Sequence, residues 1–323
     1  MRLSSFPHGV PVSPGGMDAL TRPIDLSATR SHVRRAYRPA LTAYALLVPS
    51  AVFLIGFTYW PVVQVVRTSL TVRGFRNASH WGLGNYTRLF ADAHFSTAVF
   101  NNIVYAAGTI VPSVVLALLF AVALKETTRL TSTLRTLVAL PMLIPLVAAA
   151  SLFAFIFLPN AGLLDHYLAR LGLAETNWLG DPSLALGSII AITVWKNCGY
   201  YMLFFLAGLA GIPEDLLDAA RIDGAGAVQR FVRITLPLLG PTLAFVGVIA
   251  TLNALTQVDH VIVLTQGGPS DATSMILFYI YQQAHQNFDV GMASAATVVS
   301  VGFLFAMSVV SLRSLERGIH YET

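Results

Sequence analysis

Residues 211–241 read GIPEDLLDAARIDGAGAVQRFVRITLPLLGP, a brief polar interlude between two long apolar runs. Pro213 suits the first turn of a helix, and Glu214 and Asp215 put negative charge at its positive end. Good helix formers continue from Glu214 to Ile222, after which Gly224 and Gly226 permit a sharp turn. A second short helix is expected over Val228–Ile234, ending before Pro237, which would open the next apolar run. Leu216, Leu217, Ala220 and Ile222 give the first helix an apolar side, while the small Ala219 and Ala220 let another surface approach closely. The stretch predicts a compact helix–turn–helix elbow. Physics alone leaves it two uses: an amphipathic loop packed on its own bundle, or a knob that docks elsewhere.

The surroundings of the elbow are greasy. Hydrophobic residues make up 55% of the 323, charged residues only 11%, and mean hydropathy is +0.67. A soluble domain carries about 25% charged residues, so an integral membrane protein is expected. Crossing a bilayer takes about 20 apolar residues in a helix. Stretches of that length lie near 41–66, 97–124, 136–158, 184–206, 240–264 and 292–312, giving an all-α protein of six transmembrane helices. Prolines at 49, 112, 141 and 145 fall inside spans, which neighbouring helices make tolerable. FYIYQQAH at 278–285 is too short to cross, and its aromatics suit the headgroup level or a loop folded into an outer vestibule.

Residues 1–40 are polar and lack helical periodicity, which predicts a flexible tail. Its end, RSHVRRAYRP, is expected to lie on the membrane surface, drawn by anionic lipid. The charged leader is too long for a signal peptide. With the N-terminus inside, 14 of the 20 lysines and arginines fall on cytoplasmic segments. That asymmetry predicts both termini in the cytoplasm, with a short tail at 316–323 and the elbow on the inner side.

Several chemistries are excluded by what the sequence lacks. The only lysines, Lys125 and Lys196, follow Leu124 and Trp195, so no glycine-rich phosphate loop ends in a lysine. Cys198 is the sole cysteine and reads as a buried, inert thiol. No basic stripe interleaved with aromatics lies outside the tail, which argues against nucleic acid. No metal site is expected, and His166 beside Asp165 reads as a solvated loop.

Polar residues inside spans mark a route, because a charge at the bilayer centre costs about 2.5–3.5 kcal/mol even on a lenient scale. Lys196 is the one basic residue within an expected span, with Asn197, Tyr200 and Tyr201 beside it. Lys196 and Tyr200 are one turn apart and can share a cavity. Snorkelling, or pairing with a carboxylate of a partner subunit, is the other use for Lys196. Asn253 and Gln257 share a face in the next span, Thr256 and His260 form a neighbouring pair, and Asp259 sits near the outer end. Amides beside tyrosines suit polyol hydroxyls; interhelical hydrogen bonding is the alternative. Asn101, Asn102 and Tyr105 add polar groups in the second span, and Lys196 with His260 leaves room for an anionic solute.

The elbow resembles the coupling motif of bacterial ABC importer permeases: Glu-Ala-Ala, three residues, Gly, then about nine residues to Ile-x-Leu-Pro. Here the motif reads Asp218, Ala219, Ala220, then Gly224, then Ile234, Leu236 and Pro237, with aspartate replacing glutamate one methylene shorter. The flanks VWKNCGYYMLFFLAGLAGIPEDLLDAARIDGAG (194–226) and VIVLTQGGPSDATSMI (261–276) are similar to the carbohydrate-uptake branch, the maltose and glycerol-phosphate permeases. The resemblance spans roughly 41–315 and implies one permease domain there, with a coupling loop at 211–237. It implies a bacterial inner-membrane subunit that pairs with a second homologous permease and with two ABC ATPases. Those ATPases would hold ATP and Mg, leaving this chain without a cofactor or catalysis of its own. An extracytoplasmic binding protein would deliver a sugar, oligosaccharide or glycerol-phosphate-type solute. Glu214, Asp215 and Asp223 join the motif residues as the implied ATPase contact, and Gln257 falls on a position that binds solute in maltose-type relatives. Two other classes stay open: a secondary carrier driven by an ion gradient, and a membrane assembly factor. A carrier would favour repeated halves and a midplane carboxylate relay, and neither is evident.

Overall fold

The computed structural model describes residues 43–73, 79–172 and 176–318. The expected tail at 1–40 and the chain end 319–323 lie outside the described residues. The chain divides into two compact units, Met1–Val62 and Val63–Thr323. The described part of the first unit is helical and apolar, its side chains exposed throughout, with a π-turn at Ile55–Tyr59.

The second unit is built around a central rod, Ala185–Ala210, laid along the long helix Ala93–Ala123. Lipid supplies no hydrophobic drive between helices, so close approach of small residues must do the work. Ala117 and Ala121 accordingly meet Tyr201, Met202 and Phe205 in one buried cluster. A Cβ on Gly108 would lie 2.8 Å from Ile190, and one on Gly208 would lie 2.6 Å from Thr242. Both glycines mark places where helices nearly touch. Asp92 caps the long helix by accepting a 2.9 Å hydrogen bond from the His94 amide.

Among the described residues, four helices have the length and apolarity of a span: Ala43–Ser69, Ala93–Ala123, Ala185–Ala210 and Gly240–Leu264. The stretch expected as one span at 136–158 is instead two limbs, Arg129–Leu143 and Leu146–Ile156, bent by 99°. Prolines cause the break. Pro141 sits in the first positions of the 3₁₀ turn Leu140–Leu143, and Pro145 caps the second limb in an extended conformation. The stretch expected at 292–312 lies within the helix Val290–Gly318, whose described apolar part is Val290–Ala306. The stretch at 240–264 is interrupted between Thr256 and Asp259, where Gln257 turns extended.

Of three segments between the spans, two depart from expectation. The loop after the first span forms a small antiparallel ribbon, Thr71–Arg73 with Ser79–Trp81, in a chain expected to be all-α. FYIYQQAH belongs to the helix Ile276–His285, and its Phe278 and Tyr279 are buried, as a folded-in segment requires. Asp165 is not solvated. It lies 2% exposed on the helix Leu163–Arg170, accepting from the Trp178 indole at 2.8 Å and from the Asn160 amide at 3.2 Å. Trp178 folding back thirteen residues later is what removes Asp165 from water.

Candidate functional site

The rod ends at Ala210, and only Gly211, Ile212 and Pro213 separate it from the elbow helix Glu214–Ile222. Pro213 is the N-cap, with Glu214 and Asp215 in the first turn and Arg221 in the last, so charge complements the dipole at both ends. The helix stops in a Schellman arrangement: the Ala225 amide reaches the Ala220 carbonyl at 2.9 Å, and the Gly224 amide reaches Arg221 at 3.0 Å. Gly224 takes φ +80, the left-handed conformation this stop requires. Gly226 needs no such freedom, having φ −66.

No residue of Glu214–Ile222 is buried. Leu216 is 47% exposed, Ile222 88% and, across the turn, Val228 77%. Leu217 and Ala220 on the same helix are half-buried, so its apolar side is only partly covered. Asp218 accepts from Arg221 at 3.0 Å, but this exposed pair, three residues apart, is worth only about 0.3–0.5 kcal/mol. Beyond the turn the chain stays helical through Ala227–Arg230, a π-turn Phe231–Thr235 and Leu236–Leu238. The expected stop before Pro237 does not occur. Pro237 lies at the start of Leu236–Leu238, directly after the wider π-turn.

Higher on the rod, the polar residues separate into groups. Tyr201 is buried and its hydroxyl accepts from Asn253 Nδ2 at 3.1 Å. The Tyr200 ring packs against Phe204, centroids 5.1 Å apart. His260 is fully buried; its Nε2 lies 2.9 Å from the Tyr105 hydroxyl, which lies 2.9 Å from Thr193 Oγ1. His260 Nδ1 and Gln257 Oε1, three residues apart at the helix interruption, are both buried and without a hydrogen-bond partner among the described residues. Lys196 reaches the bend of the broken span. Its ammonium donates to the carbonyls of Pro141 and Met142, each at 3.3 Å, and to that of Ile144. Asn197 is buried beside it.

Residues 113–320 match the family described as binding-protein-dependent transport system inner membrane component. This chain belongs to that family. The permease is 35% identical to the probable ABC transporter permease protein YurN of Bacillus subtilis (strain 168), covering 85% of this chain and 96% of that one. It is 32% identical to the sn-glycerol-3-phosphate transport system permease protein UgpA of Escherichia coli (strain UTI89 / UPEC), covering 90% and 100%. Its fold is similar to that of a bacterial ABC transporter involved in the import of the acidic polysaccharide alginate. The TM-score there is 0.78 at 23% identity, over 88% of this chain and 99% of the other. The permease is therefore a multi-pass inner-membrane component of an ABC importer.

Of the residues expected in the solute route, the permease brings Tyr201 to Asn253 and sets Gln257 near His260 at one interruption. Lys196 stands apart, on the rod but bonded to the broken span. Two residues escaped the sequence reading: Thr193, which completes the His260 cluster, and Arg135. The Arg135 guanidinium donates to the Leu124, Lys125 and Glu126 carbonyls, closing the end of Ala93–Ala123. Thr193 carried a signal, being polar within an apolar run; Arg135 carried none beyond its charge.

Proposed function

We propose that the permease moves a hydroxyl-rich solute, a sugar, oligosaccharide or glycerol-phosphate type, and that the elbow takes its drive from ATPase subunits. The observation that carries this reading is the elbow helix itself: nine residues without one buried side chain, joined by a three-residue link to the rod. A helix so short is unstable in water by itself, and an exposed apolar side on it calls for a partner surface. Asp218, Ala219, Ala220 and Gly224 form the contact; Glu214, Asp215 and Asp223 frame it; Ile234, Leu236 and Pro237 join it to the next span. ATP and Mg belong to those partner subunits, and this chain needs no cofactor.

A second permease related to this one completes the passage, and both termini face the cytoplasm. An extracytoplasmic binding protein delivers the solute. A solved relative of 24% identity, covering 88% of this chain, is an alginate ABC transporter in complex with an alginate pentasaccharide-bound periplasmic protein. For the solute, Tyr200, Tyr201, Asn253, Gln257 and His260 supply hydroxyl, amide and imidazole groups suited to sugar hydroxyls. Because the Lys196 ammonium is engaged by backbone carbonyls, an anionic group on the solute would be met by neutral donors in this chain. ATP binding would favour one of two packed states and the elbow would pass that preference to the spans. Ala220→Arg tests the reading: uptake should be abolished while the protein reaches the membrane in normal amount. Full uptake by that variant would overturn the elbow as the contact.

A further inference from the structure

The rod that carries the elbow also holds the broken span, through Lys196, through Gly199 and through Trp195, whose ring meets Phe153 of the second limb at 5.1 Å. The limbs Arg129–Leu143 and Leu146–Ile156 meet at a 99° bend, where prolines interrupt the backbone ladder and thin out the bonds to its carbonyls, of which Pro141 keeps one, from the Ile144 amide at 3.2 Å. Lys196, midway along the rod, donates to three of them, Pro141, Met142 and Ile144, matching its three N–H groups one to one. Among the described residues no carboxylate forms an ion pair with it. One turn further, Gly199 lets the rod touch the first limb directly: a Cβ there would fall 1.9 Å from the Val138 carbonyl oxygen. The second limb in turn packs on Asp259–Leu264, the short helix that carries His260 and follows Gln257.

Resting on the proposed drive through the elbow, we infer that Lys196 is a positioning residue that locks the rod to the bend, so that elbow displacement carries the second limb with it. The chain of contact runs from Glu214–Ile222 to the rod, through Lys196 and Gly199 to the bend, and on to the interruption at Gln257. Lys196 then touches no solute. Its ammonium replaces the missing helical donors, which an apolar side chain of equal length cannot do.

Spin-label distances in the complex assembled with its ATPase subunits, in a Cys198→Ser background, test this. One label pair, Val228 with Phe303, follows the elbow; a second, Phe155 with Phe100, follows the second limb, and all four sites are exposed. Adding ATP and vanadate should shift both pairs in the parent protein. In Lys196→Met the first pair should still shift and the second should lose more than half of its shift. Lys196→Arg should restore it, and Lys196→Gln, with two donors, should fall between. If the second pair shifts fully in both Lys196→Met and Lys196→Gln, the lock is overturned while the elbow reading stands. If the first pair stays still in the parent protein, the elbow reading fails and the lock falls with it. Reduced amounts of assembled complex with full shifts per complex would reveal a packing role only, and would also overturn the proposal.

Discussion

Asp92 serves two elements at once. Its carboxylate accepts from the His94 amide at 2.9 Å, starting the long helix, and from the Tyr279 hydroxyl at 2.6 Å, tying down the helix Ile276–His285. Burial, and then the Asp92 carboxylate, push the Tyr279 phenol above its ordinary value. An unfolded tyrosine loses its proton near pH 10, whereas the folded one keeps it. The folded state therefore binds more protons above that pH, and stability should fall as pH rises past about 10. Tyr279→Phe should lower stability by about 1.5–3 kcal/mol at neutral pH and flatten that alkaline decline, read by thermal unfolding in detergent. Gly199 offers a second test. Adding its Cβ forces rod and limb apart, so Gly199→Ala should cost about 1–3 kcal/mol. Gly187 on the same rod faces open space, and Gly187→Ala should be neutral or stabilising by up to about 1 kcal/mol.

Among elements, the elbow is the one written most plainly in the sequence. Every signal that shapes it lies within a dozen residues: Pro213 and the two acids at its start, Gly224 at its stop. Glu214–Ile222 forms as read. The helix after the turn was less legible, because a π-turn at Phe231–Thr235 carries the chain into Pro237 without a stop, and nothing local announces it. Gly224 separates backbone need from contact. A Cβ there meets nothing within 4 Å among the described residues, and asparagine tolerates its φ of +80. Gly224→Asn should leave the fold and membrane level near normal. A strong loss of uptake is nevertheless expected, because the added side chain projects into the partner surface. Uptake assays paired with membrane immunoblots would check it.

For the molecule as a whole, the class and four of the spans were readable because lipid imposes long apolar runs. The 99° bend was not: an apolar run with two prolines is compatible with a straight, tolerated span or a break. Nor does local sequence announce that Lys196, more than fifty residues away from Pro141, meets the carbonyls at that break. The solute route was half legible for the same reason. Asn253 and Gln257 stood out by spacing, whereas the pairing of Asn253 with Tyr201 and of His260 with Tyr105 and Thr193 depends on how helices pack. Orientation can be tested directly. A cysteine at Val228, 77% exposed, should react with a membrane-impermeant thiol reagent only from the cytoplasmic side, and one at Phe288, 74% exposed, only from outside. Labelling of both from one side would contradict the assigned orientation.

Because Glu214–Ile222 contributes nothing to the interior, natural selection can rewrite its surface without disturbing the lipid-embedded part. On the proposed coupling role, partner choice becomes a separable trait: exchanging this nine-residue segment between related permeases would re-address a transporter to a different motor while its cargo preference stayed put.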